Sequence, residues 1–301
     1  MKYRTAAALE MAVRDAAKAS PQDTNRAIAG FYFHRLLCRV FSDPEPRFVL
    51  KGGLGMLARV PDARSTRDID LSTGALSAEE AVENLRRLAA IDLGDFVTFR
   101  FEGAERIRLD DGYRSGHKVT FVPLLGGRPM QRVSVDLVAD TIPCGTPDRV
   151  SPADRLDIAG VPVFDYLVYP VASAVADKVS GVMEVHDGRP SSRVKDLVDL
   201  AVYLTRERFA MSDLRERLRL ETALHGLDLS RGFSVPDAWR DSAHASHYAR
   251  MAGRTGLPSW LMDVCAAENL VHSCVEATLG SEPSDAREWN PTSLSWVGPD
   301  D

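Results

Sequence analysis

The spacing of apolar residues along the chain predicts a first half with helices and strands and a mainly helical second half. Over residues 5–41 apolar residues recur at helical spacing, and the break at Ser20-Pro21 predicts two helices there. The next segments predict a strand over 48–50, a short helix over 54–59, a strand over 68–71 and a helix with a capping box over 77–90. Alternating apolar and polar residues then predict antiparallel strands over 96–109, 113–122 and 132–138, separated by turns at 110–112 and 126–127.

The second half of the chain has a mainly helical pattern of apolar residues. Residues 144–162 are rich in Pro, Gly and Asp and form a connection, with one last strand expected over 161–164. Helical spacing then predicts helices over 171–184, 192–206, 212–224, 235–250 and 258–277. Trp289 and Trp296 indicate that the polar tail packs back on the body. These patterns predict an α+β fold.

Composition and charge narrow the class of protein. The chain has 301 residues, 45% hydrophobic and 27% charged, as in a soluble globular protein. No apolar run approaches the roughly 18 residues of a membrane helix, and Glu10 and Asp15 interrupt the start, so we expect a cytoplasmic protein without membrane contact. The net charge of −6 excludes a uniformly basic nucleic-acid binder, and four cysteines without a CxxC pair exclude a disulfide framework or structural zinc site.

The strongest chemical signal lies at residues 51–70. Gly52-Gly53 follows a predicted strand and opens a predicted helix, where backbone N–H groups and the helix dipole favour a phosphate. Asp68 and Asp70 are two apart on the next predicted strand, so their carboxylates face one side and suit one or two Mg²⁺ ions. Each motif alone is weak, since an Asp-x-Asp sequence is more often a solvated turn. Their joint order favours binding of a nucleoside triphosphate.

A third carboxylate is available at Asp136, on a strand that we expect beside the one with Asp68 and Asp70. Nucleotidyl transfer with two metal ions uses such a residue to bridge a metal and activate the attacking hydroxyl. The alternative is that an aspartate near a strand end only caps a turn, and Asp140 is nearby and equally acidic.

Two helices of the second half carry charges among apolar residues. Only six of the 37 basic residues are lysines, so a position that keeps a compact ammonium is informative. Lys178 can neutralise a triphosphate, and Asp196 and Asp199, three apart on the next helix, can orient that lysine or hold the nucleotide. The alternative is a salt bridge between the helices. Because apolar residues flank both segments, we expect these charges at the edge of a buried surface.

Taken in order, these motifs resemble the AbiEii/MenT nucleotidyltransferase toxins, a branch of the DNA polymerase β-like superfamily. The motifs that carry the resemblance are KGG, RSTRDID, SVDLV, ADKVSGV and RVKDLVDL, within roughly residues 48–204. The resemblance implies a bilobed α+β fold, with a polymerase β-like nucleotidyltransferase domain with a mixed sheet and two leading helices over residues 1–165. A mostly helical C-terminal domain would span residues 166–301.

The same resemblance implies a function. It implies the toxin of a type IV-like toxin–antitoxin pair, with a cognate antitoxin protein as its partner. The toxin would use Mg²⁺ (or Mn²⁺) and a nucleoside triphosphate to add nucleotides to the 3′ acceptor end of tRNA. That addition would block aminoacylation and so translation.

The resemblance also implies roles for single residues. Asp68 and Asp70 would be catalytic metal ligands with Asp136 as a third, and Lys178 with Asp196 would contact the nucleotide or align the transfer. The residues implied to bind the nucleotide are Lys51, Gly52, Gly53, Arg64, Thr66 and Asp199. Thr66 matches a hydroxyl position that relatives carry phosphorylated in the inhibited state. Gly-Gly stands where the superfamily usually has Gly-Ser, so a side-chain phosphate contact is missing, and Arg64 or Thr66 is the candidate to supply it.

Other functions stay open at this point. A nucleotidyltransferase that modifies a protein or a small molecule has the same catalytic needs, and a non-catalytic nucleotide-binding module would bind nucleotide without transferring it. A local concentration of arginines favours RNA, because Arg208, Arg215 and Arg219 have helical spacing and predict a stripe for a phosphate backbone. The alternative is a solvated helix face with interleaved glutamates. A metal hydrolase is disfavoured, since the seven histidines contain no HExxH motif.

Overall fold

Two units make up the structure. The computed structural model describes residues 2–107, 114–140, 142–186, 188–280, 282 and 286–298, so the predicted turn at 110–112 lies outside the described residues. The first unit, here called the sheet unit, comprises Met1–Pro61 and Ser65–Tyr169. The second, the helical unit, comprises Asp62–Arg64 and Pro170–Asp301. None of the helices in the described ranges is long and apolar enough to span a bilayer.

The sheet unit combines helices with a mixed sheet. Its helices are α1 (Ala6–Ala19), α2 (Thr24–Phe41), α3 (Gly52–Arg59) and α4 (Ala78–Ala89). Its strands are β1 (Val49–Lys51), β2 (Ile69–Thr73), β3 (Val97–Ile107), β4 (Arg114–Leu125), β5 (Arg128–Pro129), β6 (Val133–Asp140), β7 (Asp148–Val150) and β8 (Tyr166–Val168). The two leading helices and the antiparallel strands β3, β4 and β6 confirm the predicted order.

Local sequence signals explain where the helices begin. The predicted capping box opens α4, because the Ser77 hydroxyl accepts from the Glu80 N–H while the Glu80 carboxylate accepts from the Ser77 N–H. Asp23 caps α2 by accepting from the N–H of Arg26 at 3.0 Å. These contacts satisfy backbone donors that have no partner within the helix.

The sheet brings together strands that are distant in sequence. Its order is β3-β4-β6-β2-β1-β8-β7, with β5 paired to β4. Strands β2 and β6 are parallel, as are β1 and β8, and the other neighbours are antiparallel. Apolar residues of β6 such as Val135 and Leu137 are buried, whereas the alternating Asp136 is partly exposed. One face of the central strands therefore lies on the core and the other presents polar groups.

One predicted strand is wrong. Residues 161–164 have no strand structure, and the strand in this region is β8, which pairs in parallel with β1 through Leu50 and Val168. Pro162 lies in the predicted segment and has no N–H to donate to a sheet. The strand β7 was not predicted, because it lies in the Pro- and Gly-rich connection.

The helical unit is built mainly from five long helices in its described residues. They are α5 (Val171–Met183), α6 (Val194–Arg206), α7 (Met211–His225), α8 (Ser242–Ala252) and α9 (Val264–Leu279). Two short pairs of antiparallel strands accompany them, β9 (Val185–His186) with β10 (Arg189–Pro190) and β11 (Glu288–Asn290) with β12 (Ser295–Val297).

Two of the predicted helices are each divided in the structure. The segment predicted over 235–250 is a 3-10 turn at Asp237–Arg240 followed by α8, and the segment over 258–277 is a 3-10 turn at Ser259–Met262 followed by α9. An aspartate makes each division, since Asp241 and Asp263 accept hydrogen bonds from the first N–H groups of α8 and α9.

The tail packs on the helices, as the tryptophans indicated. Trp289 is buried, and its indole N–H donates to the carbonyl oxygen of Leu204 at 2.7 Å. Trp296 donates in the same way to the carbonyl oxygen of Cys274 at 3.2 Å. The two rings also contact each other edge to face, with centroids 5.4 Å apart.

Candidate functional site

The Gly-Gly turn at the start of α3 is shaped around the carboxylate of Asp70. Gly52 has a φ of +62°, a conformation that side chains rarely allow. A Cβ on Gly52 would lie 1.9 Å from Oδ2 of Asp70. The glycine is therefore required both by the backbone and by the close approach of the aspartate, whose negative charge lies at the favourable N-terminus of a helix.

The second glycine makes room for Thr66. A Cβ on Gly53 would lie 2.8 Å from Cβ and 3.1 Å from Oγ1 of Thr66. The Thr66 hydroxyl itself donates a long hydrogen bond, 3.4 Å, to the carbonyl oxygen of Asp68. Thr66 thus lies against the Gly-Gly turn and is partly exposed.

Two of the three predicted carboxylates are neighbours across the sheet. Asp70 on β2 pairs in register with Asp136 on the parallel strand β6, as the sequence predicted for these two strands. Adjacent strands are about 4.8 Å apart, so paired side chains on one face lie close together. Asp68 differs from the expectation, because β2 begins at Ile69 and Asp68 lies on a bend just before it.

Asp136 and Asp140 have different surroundings, although both are on β6. Asp140 is buried, receives a hydrogen bond from Nε of Arg114 at 3.1 Å and caps a turn by accepting from the N–H of Ile142. Oδ1 of Asp136 is buried but accepts no hydrogen bond from a described residue, and the Lys118 ammonium lies 3.5 Å from it. The turn-capping role therefore falls to Asp140, and Asp136 has an oxygen available for a ligand.

The carboxylates fit a divalent cation in their chemistry. Carboxylate oxygens are the ligands of Mg²⁺, which is often bound by only one or two of them together with substrate phosphates. Asp70 and Asp136 supply such a pair on neighbouring strands. In the part of the chain that the structure describes, no group of three His, Cys, Asp or Glu side chains could hold a metal ion. The arrangement therefore fits a cation shared with a bound substrate better than a site closed by the protein.

Two lysines flank these carboxylates. Lys51 pairs in register with Asp70, and its ammonium lies 3.9 Å from the centre of the Tyr169 ring. Lys118 pairs in register with Asp136. The sequence analysis missed Lys118, although the scarcity of lysine was a signal that could have drawn attention to it.

Four predicted site residues meet within the helical unit, together with Arg193, which was not predicted. We call Arg64, Lys178, Arg193, Asp196 and Asp199 the buried charge cluster, because both carboxylates are buried, although Arg193 lies at its exposed edge. The ammonium of Lys178 on α5 donates to Asp196 at 3.1 Å and to Asp199 at 2.7 Å, both on α6. Arg64 donates two hydrogen bonds of 2.7 Å to Asp199, and Arg193 lies 2.6 Å from Asp196. The cluster contains one more cation than carboxylates.

Burial and charge act in opposite directions on the groups of this cluster. Burial by itself would raise the pKa of Asp199, but the Lys178 ammonium and the Arg64 guanidinium outweigh it and hold that pKa below its usual value. Burial by itself would lower the pKa of Lys178, but the carboxylates of Asp199 and Asp196 outweigh it and raise that pKa. Lys178 and Asp199 are therefore both charged at neutral pH.

The predicted arginine stripe is wrong at its centre. Arg215 is buried, and its guanidinium donates to the carbonyl oxygen of Thr278. Arg208 and Arg219 are exposed. Arg208 lies before α7, which begins at Met211, so only Arg215 and Arg219 are on that helix, and helical spacing could not show that Arg215 faces the core of the unit.

A comparison with protein families decides the class. The family model described as nucleotidyl transferase AbiEii toxin, type IV toxin–antitoxin system, matches residues 35–266. The chain belongs to this AbiEii family. The match includes the Gly-Gly turn, the carboxylates of β2 and β6 and the buried charge cluster. The AbiEii protein is therefore a nucleotidyltransferase toxin of a type IV toxin–antitoxin system, as the motifs indicated.

One solved structure agrees with the fold. MenT4, a nucleotidyltransferase toxin from Mycobacterium tuberculosis, is similar with a TM-score of 0.54 and 20% identity, over 92% of this chain and 98% of that chain. JHP933 from Helicobacter pylori has a TM-score of 0.41 and 15% identity, over 84% of this chain and 91% of that chain. No curated protein matches the sequence. The likeness to MenT4 supports the α+β fold of the AbiEii protein and nothing finer, because the identity is low.

Proposed function

We propose that this AbiEii protein transfers nucleotides from a nucleoside triphosphate to the 3′ acceptor end of tRNA, in the cytoplasm and with Mg²⁺ or Mn²⁺. The observation that carries the proposal is the pairing of Asp70 with Asp136 on parallel strands, next to the Gly-Gly turn at the start of α3. The choice of tRNA rests on the resemblance to the MenT toxins. Of the three arginines predicted to contact RNA, only Arg208 and Arg219 are exposed, and these two support the choice of tRNA.

In the proposed reaction the terminal 3′-hydroxyl attacks the α-phosphorus of the triphosphate. A bond forms between the 3′ oxygen and phosphorus, the bond from that phosphorus to the bridging oxygen breaks, pyrophosphate leaves and the hydroxyl proton passes to water. Mg²⁺, when bound, neutralises phosphate charge and makes the hydroxyl more acidic. Asp70 and Asp136 would hold it, and Asp68, on the bend just before β2, would be a further ligand only once the triphosphate is bound. The N–H groups at the start of α3, with Lys51, would orient the phosphates.

The cluster residues keep their predicted role as part of this proposal. Lys178, aligned by Asp196 and Asp199, would contact the nucleotide, and Arg64 would provide a further phosphate contact. Lys178→Ala should weaken nucleotide binding and Lys178→Arg should not restore it fully, because a guanidinium fork does not replace a compact ammonium.

The test of the function is direct. The protein is incubated with each of the four labelled triphosphates, Mg²⁺ and total tRNA, and the 3′ ends of labelled tRNA are sequenced. Label at tRNA 3′ ends, lost in Asp70→Asn and kept in the exposed Glu105→Gln control, supports the proposal. Label on protein or on a small molecule instead would favour the other transferases, and nucleotide binding without transfer would favour a binding module.

We further propose that the antitoxin partner silences the enzyme through phosphorylation of Thr66. The Thr66 side chain lies against Gly53, and its phosphate would add about −1.5 to −2 charges beside the carboxylates of Asp68 and Asp70. Those charges would compete for the cation and repel the triphosphate. Mass spectrometry after co-expression with the antitoxin should find phosphate on Thr66 together with loss of transfer. Equal inhibition of Thr66→Ala and the parent would show that the antitoxin works by another route.

A further inference from the structure

A row of charged residues crosses five strands of the sheet in register. We call this series the charge row. Its members, in the order of strands β1, β2, β6, β4 and β3, are Lys51, Asp70, Asp136, Lys118 and Glu105. Residues that pair directly across strands point to the same face. The two proposed metal ligands therefore lie side by side with a lysine on each flank.

The two carboxylates of the row repel each other unless a cation compensates them, because like charges directly opposite destabilise a sheet. Lys118 is placed to compensate Asp136. Its ammonium lies 3.5 Å from Oδ1 of Asp136, whereas no described ion pair joins it to Glu105, its neighbour on the other side. Lys118 therefore has a carboxylate on each side, and its ion pair is with the one next to Asp70.

A second basic–acidic pair on the same two strands is a buried ion pair and provides a comparison for Lys118 and Asp136. Arg114 and Asp140 pair in register on β4 and β6, four residues from Lys118 and Asp136, so they share the same face. Arg114 binds Asp140 at 3.1 Å, and both side chains are largely buried, 20% and 8% exposed. Lys118 and Asp136 are 47% and 34% exposed. The Lys118 ammonium can therefore leave Asp136 for water at little cost.

We propose that Lys118 is a positioning residue that acts as a replaceable counter-ion of Asp136. It holds the carboxylate while no divalent cation is present, and it opposes the cation that would lie between Asp70 and Asp136. Lys118 thereby lowers the affinity of the empty protein for the metal, so that the metal binds mainly together with the negatively charged triphosphate. The inference rests on the proposed function only in taking Asp70 and Asp136 as metal ligands.

The experiment measures metal binding without any reaction. Mn²⁺ is titrated into the full chain in the absence of nucleotide, and free Mn²⁺ is followed by electron paramagnetic resonance. Lys118→Met should bind Mn²⁺ about three- to tenfold more tightly than the parent, since it removes a positive charge close to a divalent ion. Lys118→Arg keeps the charge and should bind like the parent. Lys18→Met, which removes an exposed lysine on α1, is the control for net charge.

Comparing the variants distinguishes failure of the counter-ion role from failure of the proposed function. Asp70→Asn should weaken Mn²⁺ binding, and if it does while Lys118→Met binds like the parent or more weakly, the counter-ion role is wrong and the metal assignment stands. If Asp70→Asn leaves binding unchanged, the metal assignment is wrong and this inference falls with it. Absence of binding in both the parent and Lys118→Met also overturns it. Lys118→Met could also bind Mn²⁺ more tightly while the separate transfer assay finds no label on tRNA. That result would support the counter-ion role and show that tRNA is the wrong substrate.

Discussion

The charge row of the sheet unit and the buried charge cluster of the helical unit contain similar groups in opposite surroundings. In the cluster Asp199 is fully buried, and both of its oxygens receive hydrogen bonds, from Arg64 and from Lys178. In the row Asp136 is one-third exposed, and its Oδ1 accepts no hydrogen bond from the described part of the chain. Asp199 is therefore held by two cations through both of its oxygens, whereas Oδ1 of Asp136 faces only the Lys118 ammonium at 3.5 Å among the described residues.

This difference separates two reasons for placing charges together. A buried set of ion pairs holds a unit together only while it is complete, since removing one member leaves the others charged and without a partner in a medium of low polarity. Adjacent carboxylates on a sheet face destabilise the sheet unless a cation compensates them, and Oδ1 of Asp136 keeps a lone pair for a ligand. We therefore expect changes in the row to act on transfer and changes in the cluster to act first on stability.

The largest effect should come from Asp70→Asn. The change keeps the shape of the side chain and removes the charge that would hold the metal, so transfer should fall by about a thousandfold, equivalent to about 4 kcal/mol. The melting temperature should stay within about 3 °C of the parent. Initial rates of label transfer and a thermal melt measure the two quantities. Substantial transfer by the folded variant would remove Asp70 from the active site.

Asp199→Asn should act mainly on stability. It leaves the ammonium of Lys178 and the guanidinium of Arg64 with one carboxylate fewer in a buried place, so the free energy of unfolding should fall by about 2–4 kcal/mol. Urea unfolding monitored by circular dichroism gives the value. Lys195→Met, an exposed change on the same helix, is the control and should stay within about 0.5 kcal/mol. Equal stability of the two variants would mean that the cluster contributes little.

Gly52→Ala tests how the turn holds the Asp70 carboxylate. Its Cβ would meet that carboxylate at 1.9 Å, so we expect transfer to fall by about ten- to hundredfold, and the positive φ should cost about 1 kcal/mol of stability. Gly94→Ala is a matched control, because Gly94 has a φ of +66° and no atom within 4 Å of its Cβ position. It should show the same stability loss with normal transfer. A similar loss of transfer in both variants would point to backbone strain alone.

The smallest expected effect is on the pH dependence of the unfolding free energy. The pKa of Asp199 is lowered in the folded protein, so the stabilisation that it provides is present above the unfolded value, about 3.9, and is lost as the pH falls through the folded value. The difference in unfolding free energy between the parent and Asp199→Asn should therefore shrink as the pH is lowered from about 5 to about 3. Urea unfolding at several pH values measures it. A constant difference would show that the carboxylate charge is not what stabilises the cluster.

Local patterns predicted most of the helices and strands because their signals lie within a few residues of each other. The period of apolar residues and the capping box at Ser77 depend only on neighbours in the chain. The division of the helix predicted over 235–250 was missed because Asp241 lies in a continuous helical pattern, and only its hydrogen bonds to the N–H groups of α8 show that a helix begins there.

The site was predicted in part. The residue types and their order indicated a nucleotidyltransferase, and Asp136 was expected beside the strand of Asp70. Lys118 was not found, because its place opposite Asp136 depends on the register of β4 against β6. The burial of Arg215 was missed for a related reason, since helical spacing puts residues on one line without showing which side of the helix that line faces.

The fold class, the family and the residue types of the site follow from the amino-acid order alone, since these depend on the hydrophobic period and on the order of short motifs. Which charges meet follows only from the folded arrangement. It paired Asp70 with Asp136 and Asp136 with Lys118, and it enclosed Lys178 and Asp199 in ion pairs. The physical reason is that register and burial depend on contacts between segments far apart in the chain, and a carboxylate is a ligand or a structural anion according to the charges and the water around it.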